Sequence, residues 1–193
     1  MIWLKARRAH TALPAGLLAL FALVLLVQDS EMVLPSLLSG LQGTPILLTA
    51  PVVITTALIF CLNSRLPSAE ISGTRRVAAL DVALTATYLL VVTVGCMALG
   101  ELLSSTEAVA VGRNSAFLVG LALCARPWAG EAATFVPVAW VVAVLVLGFR
   151  PTGDPYPWTV TPEPVGAPHA AVAAVLVLVA GLAALYSTSR KMP

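Results

Sequence analysis

Charge is what this sequence has least of. Asp, Glu, Lys and Arg make up 10% of its 193 residues, against about 25% in an ordinary soluble domain. A soluble fold of this size cannot cover its core with so few charges, so that class is excluded. The net charge of +2 is too small to favour nucleic acid, and no nucleic-acid partner is expected. Histidine and cysteine are also scarce. His10 and His169 lie far apart, and Cys61, Cys96 and Cys124 sit widely spaced in apolar stretches with no CxxC. Neither a zinc site nor a disulfide framework is suggested, and no cofactor is expected. The cysteines are expected as buried small residues. No GxxxxGK[ST], HExxH, GxSxG or TVGYG-like run occurs. The chain therefore offers no P-loop, zinc-protease, serine-hydrolase or potassium-filter chemistry, and an enzyme is not expected.

Apolar runs are abundant instead. Apolar residues make up 59% of the chain, and the mean hydropathy is +0.96. A helix needs about 20 mostly apolar residues to cross a bilayer core. Six such spans are expected, at about 11–27, 44–63, 77–100, 108–125, 132–148 and 169–186. The expected fold is an all-α, polytopic integral membrane helical bundle of six transmembrane helices, one domain over 1–193 with no soluble domain.

Each boundary has its signal. The first run follows Lys5, Arg7 and Arg8 and stops at Asp29 and Glu31. A signal peptide starts the same way, but Gln28–Glu31 supplies no small-x-small cleavage site, so an uncleaved span is expected. Met32–Gly43 is semi-apolar and broken by Pro35, Gly40 and Gly43; it suits either an interfacial or re-entrant helix or a partly ordered loop. Pro51 falls inside the second span, where proline often kinks a helix. The fourth span is the weakest, because Arg113 and Asn114 precede an apolar core that runs only from Ser115 to Ala125. A loop over 149–168 holds six of the 14 prolines.

Charge placement tests the weak span through the positive-inside rule. With six crossings and a cytoplasmic N-terminus, Lys5, Arg7, Arg8, Arg65, Arg75, Arg76, Arg126, Arg190 and Lys191 lie inside, nine against Arg113 and Arg150 outside. If 108–125 does not cross, the split falls to seven against four. Both termini and the 64–76 loop are therefore expected in the cytoplasm, with the Pro-rich loop outside. Trp3, Trp128, Trp158 and Tyr186 fall near the interfaces that amphipathic rings prefer. Trp140 sits mid-span and is expected to pack inside an assembly.

Small residues let membrane helices approach. Ala79, Ala83 and Thr87 offer one seam, and Ala170 with Ala174 and Ala180 with Ala184 offer others. Asp81, Thr85 and Tyr88 share a face at i, i+4 and i+7. An acid in a membrane helix is costly and faces the bundle or water, so Asp81 is either part of a conduction path or gate, or a residue near the cytoplasmic interface that water reaches. Arg113 can snorkel to the outer interface, pair with Glu101 or Glu107, or meet substrate at the outer mouth.

The second half carries a resemblance. Arg113-Asn114 opens a short span, Gly120-Leu-Ala-Leu123 lies within it, Pro137 and Trp140 follow, and Gly153-Asp-Pro-Tyr-Pro-Trp158 precedes an Ala-rich last helix. Over roughly 107–190 the chain resembles the small six-span permease subunits of actinobacterial ABC transporters. A bias to Arg over Lys and to Ala, Val, Leu and Gly agrees with a GC-rich bacterial genome. The resemblance implies a subunit in the bacterial plasma membrane that pairs with a second copy or a homologue. A separate cytoplasmic ATPase would drive it. It also implies that the segment carrying Arg65, Glu70, Arg75 and Arg76 contacts that ATPase; a basic loop that only orients the chain is the alternative. The sequence departs from such permeases in its start: their long amphipathic N-terminal helix is either absent or reduced to Met1–His10, which does not fit their usual docking arrangement. Export of a hydrophobic or amphipathic compound is the expected function. A stand-alone channel or secondary carrier, or a non-transporting partner that assembles or regulates a complex, are the other classes.

The topology yields a direct test. A single cysteine placed beside Arg190, with the three native cysteines replaced, is expected to resist a membrane-impermeant thiol reagent applied outside the cell. Labelling there would overturn the six-span arrangement.

Overall fold

The computed structural model describes residues 9–28, 30–37, 40–64 and 77–190. They form six α-helices and one small β-hairpin. The order is α1 (Ala9–Val27), β1 (Glu31–Ser36), β2 (Gly40–Pro45), a 3-10 turn (Ile46–Thr49), α2 (Ala50–Asn63), α3 (Val77–Leu103), α4 (Thr106–Ala129), a 3-10 turn (Gly130–Phe135), α5 (Val136–Leu147), a short 3-10 turn (Pro157–Thr159) and α6 (Pro168–Arg190). Five helical stretches are long and apolar enough to cross a membrane: Ala9–Val27, Ile46–Asn63, Val77–Leu103, Thr106–Leu147 and Pro168–Thr188.

The Thr106–Leu147 stretch is not one straight rod. Phe117 in α4 and Trp140 in α5 have ring centroids 5.1 Å apart. A straight helix would separate residues so spaced by roughly 34 Å. The chain reverses at Gly130, whose φ of +56° breaks the helix at no steric cost to a glycine. Elsewhere too, successive helices run in opposite directions. One end of the bundle, the hairpin end, carries the β-hairpin, the α3–α4 turn and the 148–167 loop. The opposite end carries the ends of α2 and α4 and the starts of α3 and α5.

The segment expected as an interfacial helix or a loop is instead an antiparallel hairpin, with Glu31 opposite Pro45 and Ser36 opposite Gly40. A helix here would place Pro35 in its interior and break a backbone bond. An edge strand tolerates proline, and Gly40 at φ +74° supplies the turn. The hairpin also qualifies the all-α expectation. It is held to the bundle by the Leu37 amide, which donates to the Val146 carbonyl at 3.1 Å, and by Ser36 Oγ, which donates to the same oxygen at 3.3 Å.

Pro51 does not kink a helix interior. It sits in the first turn of α2, where a missing N–H costs nothing. Pro137 does the same in α5.

Buried positions follow helical spacing. In α1 they are Ala9, Leu13, Gly16, Leu20 and Val24, a single stripe. In α3 they are Ala78, Asp81, Thr85, Tyr88, Leu89, Val92, Cys96 and Gly100. Ala79, Ala83 and Thr87 are exposed, so the seam expected there is the outward face. On α6, Ala170 and Ala174 are buried but Ala180 is exposed. The outward strips are apolar, with Leu26 83%, Leu90 64% and Leu176 63% exposed, more apolar surface than water tolerates on a monomer.

The weakest expected span is the central helix. α4 packs against α2, α3, α5 and α6, and its buried residues, from Ala108 to Leu123, cover most of its circumference. Low hydropathy misled here because small and polar residues suit a helix surrounded by protein rather than lipid. Its backbone packs directly on the α6 backbone: a Cβ built on Gly120 would stand 2.6 Å from the Leu178 amide nitrogen, and one on Gly181 would stand 2.6 Å from the Gly120 carbonyl oxygen.

Gly120→Val is therefore expected to destabilise the protein by about 1–3 kcal/mol or more, seen as earlier thermal unfolding in detergent. Gly166→Ala, whose added Cβ would meet nothing within 4 Å, is expected to leave unfolding unchanged.

Candidate functional site

Two adjacent α4 residues build the hairpin end. The Arg113 guanidinium donates to the Pro164 carbonyl at 2.8 Å, to the Glu163 carbonyl at 2.6 Å and to the Val160 carbonyl at 3.2 Å. Its Nε donates to Asn114 Oδ1 at 3.2 Å. Asn114 Nδ2 in turn donates to the Thr161 carbonyl at 2.8 Å. A turn-rich loop leaves carbonyls that no helix or sheet satisfies, and the planar guanidinium fork meets several at once. Of the readings open for Arg113, a pairing with Glu101 or Glu107 gives way to this clamp on the loop backbone.

The rest of the loop closes on itself. The Arg150 amide donates to the Asp154 carbonyl at 2.8 Å and the Tyr156 amide to the Gly148 carbonyl at 2.9 Å. Trp158 then meets Trp140 edge-on, with ring centroids 5.8 Å apart. Trp140 thus packs within the chain, between Phe117 and Trp158. Trp158, expected in an interfacial belt, seats the loop. His169 Nε2 stands 3.4 Å from Glu163 Oε1, joining the loop to the start of α6.

Beneath the clamped loop lies a cleft of about 380 Å³. Its walls come from the 3-10 turn before α2, the first turns of α4 and the loop from Thr161 to Gly166. Leu47, Leu48 and Val111 supply apolar surface, and Glu107, Asn114 and Glu163 supply polar groups. The α3–α4 turn holds this arrangement by Ser105, whose side chain caps α4 by accepting from the Ala108 amide at 3.3 Å.

No family model, no curated protein and no solved structure matches the chain. The geometry of these residues is therefore what speaks for function.

The other expected site residues lie elsewhere. Asp81 and Thr85 are fully buried and Tyr88 is 5% exposed, so the polar face of α3 turns inward. Tyr88 Oη donates to the Leu13 carbonyl at 3.3 Å and Thr85 Oγ1 to the Asp81 carbonyl at 2.9 Å. These bonds tie α3 to α1 and to itself. Arg65, Glu70, Arg75 and Arg76 lie outside the described residues. At the root of that connector, Arg126 at the end of α4 donates to Asn63 Oδ1 at 3.2 Å and to the Leu62 carbonyl at 2.9 Å. Among the described residues, no group of three His, Cys, Asp or Glu could hold a metal.

Asn114 and Arg126 were not singled out as site residues from sequence. Each stood beside a feature that was: Asn114 beside Arg113, and Arg126 at the close of the weak span. An Arg or Asn inside an apolar run, with unsatisfied carbonyls to meet, was the available signal.

Arg113→Lys removes the fork but keeps the charge. Protease cleavage within 149–168 is expected to quicken about tenfold, a loss of roughly 1–3 kcal/mol of loop anchoring. Ser115 Oγ is buried without a hydrogen-bond partner, so Ser115→Ala is expected to leave thermal unfolding unchanged or slightly raised.

Proposed function

We propose that the chain is a six-span membrane subunit of an ABC-type transporter, exporting a hydrophobic or amphipathic compound from a bacterial cell. It sits in the plasma membrane with both termini cytoplasmic, and a separate ATPase drives it. The observation that carries this reading is that one helix, α4, is held at both ends, by a loop at one and by the end of α2 at the other. Arg113 and Asn114 hold the 160–164 backbone beside the cleft. Arg126 holds the end of α2 where the basic 64–76 connector departs. Movement of that connector by an ATPase would act on the same rigid element that shapes the cleft. Coupling through one packed helix is a physically contiguous route.

Length supports six crossings. α4 alone spans about 36 Å. The Gly130–Phe135 turn continued by α5 spans about 30 Å, the thickness of a hydrocarbon core. Trp128, 92% exposed where α4 ends, suits an aqueous boundary. The absence of a P-loop in the sequence accords with energy supplied by another chain. Leu20, Ile54, Leu58, Val92, Leu118 and Leu123 fill the middle of the bundle at 0% exposure. Apolar filling of this kind favours a pathway formed with a second copy or a homologue over one within a single chain. A stand-alone carrier would have to draw on Asp81.

Purification from the native membrane is expected to bring down a P-loop ATPase. Arg126→Ala is expected to keep that association and lower ATP-driven transport about tenfold, whereas Asp81→Asn transports normally. Transport by the purified chain alone in liposomes, abolished by Asp81→Asn, would overturn the reading in favour of the carrier.

A further inference from the structure

We propose that the β-hairpin is a lipid anchor, with its outward face bedded in the phospholipid interface at its end of the bundle. The proposal requires that the bundle lies in a bilayer and uses nothing of the transporter reading. The two strands pair in register, so alternate residues share a face. An antiparallel sheet in water turns its apolar face inward and its polar face outward. Here that order is inverted. Ser36 and Thr44, on one face, are 7% and 3% exposed, whereas Val33 and Leu41, on the other, are 63% and 77% exposed. Leu37, where the turn begins, is 76% exposed.

Charge and position favour lipid as the occupant of that face. Met32–Pro45 carries no charged residue, whereas the 148–167 loop at the same end carries Arg150, Asp154 and Glu163. One connection is built for water and the other is not. The hairpin turn is bonded to the Val146 carbonyl, in the last turn of α5. It therefore joins the span at a level where α5 itself presents Val142 and Leu147 outward, 51% and 47% exposed. The backbone sets the depth. A two-stranded sheet leaves edge N–H and C=O groups unpaired, which hydrocarbon does not tolerate. The strands thus lie among the headgroups, and only the side chains reach the acyl boundary, the depth of other interfacial elements. Glu31, exposed at the base on the same face as Val33, keeps that end in water. The hairpin therefore lies with its turn deeper than its base.

The test uses the full chain in nanodiscs of zwitterionic phospholipid. With the three native cysteines replaced by alanine, Val33→Cys, Leu37→Cys and Leu41→Cys each carry a nitroxide label. Leu90→Cys, on the outward side of α3, and Thr152→Cys, exposed in the 148–167 loop, serve as references. The ratio of oxygen to nickel-chelate collisions at Leu37 and Leu41 is expected to be about threefold that at Thr152, as for side chains at the acyl boundary. It should approach the ratio at Leu90. A ratio equal to that at Thr152 places the face in water and overturns the proposal. Dipolar broadening between labels at Leu41, with both collision rates suppressed, assigns the face to a second copy and overturns it as well. The unmodified chain gives a reading that no substitution can spoil. A phospholipid with a diazirine in its acyl chain is expected to leave carbene adducts at Val33, Leu37 or Leu41 and none between Arg150 and Tyr156. Adducts absent from all three overturn the proposal even if the labelled variants misfold. Neither result bears on ATPase co-purification, and failure of co-purification leaves this anchor untouched.

Discussion

The α4 and α6 backbones meet at Gly120 and Gly181 with no side chain between them, and that contact decides where the rest of the molecule can go. The two helices also pack nearer their N-termini, where Phe117 and Leu118 of α4 share a buried cluster with Ala170 and Ala174 of α6. The α6 N-terminus is thereby fixed next to the start of α4, and the loop that feeds α6 lies across the α4 mouth. Arg113 and Asn114 then find carbonyls within reach, and the cleft forms beneath them. A larger residue at either glycine would push the helices apart and separate the clamp from its loop. The same logic recurs more gently between α3 and α4, where a Cβ on Gly112 would stand 3.2 Å from Thr93 Cα. α4 is central because it is small-sided, and it can carry polar residues because it is central.

Much of the architecture was legible because hydropathy measures what a helix shows to an apolar surround. All six helices fall where apolar runs are found, with ends displaced by a few residues. Hydropathy says less where that premise does not hold. α4 faces protein, so its low hydropathy understated its length. The 31–45 segment satisfies its backbone by strand pairing, which an apolar count cannot see. The Ala79, Ala83 and Thr87 spacing was sound as a pattern. In an alanine-rich helix, however, several faces satisfy it, and the polar face of Asp81, Thr85 and Tyr88 took the interior.

At the site, sequence supplied Arg113 and the Pro-rich loop but not their union. An arginine in an apolar run invites a search for an acid, and two acids stood close by in sequence. The structure spends the guanidinium on backbone carbonyls instead, because a loop with five prolines between α5 and α6 has many acceptors and few donors. Proline lacks the N–H that would pair with a neighbouring carbonyl, so a side chain with many donors fills the gap. The loop composition and the arginine are two halves of one arrangement, some 50 residues apart in the chain.

The indole pair at the hairpin end has an optical consequence. Trp140 and Trp158 stand nearly perpendicular, at 89°, one on the bundle and one on the loop. Coupled indole transitions in a fixed, chiral arrangement give circular dichroism that independent rings do not. Among the described residues, Trp128, on the opposite end and open to its surroundings, contributes no such coupling. The protein therefore carries a built-in gauge of loop seating, visible in its native spectrum without any added label.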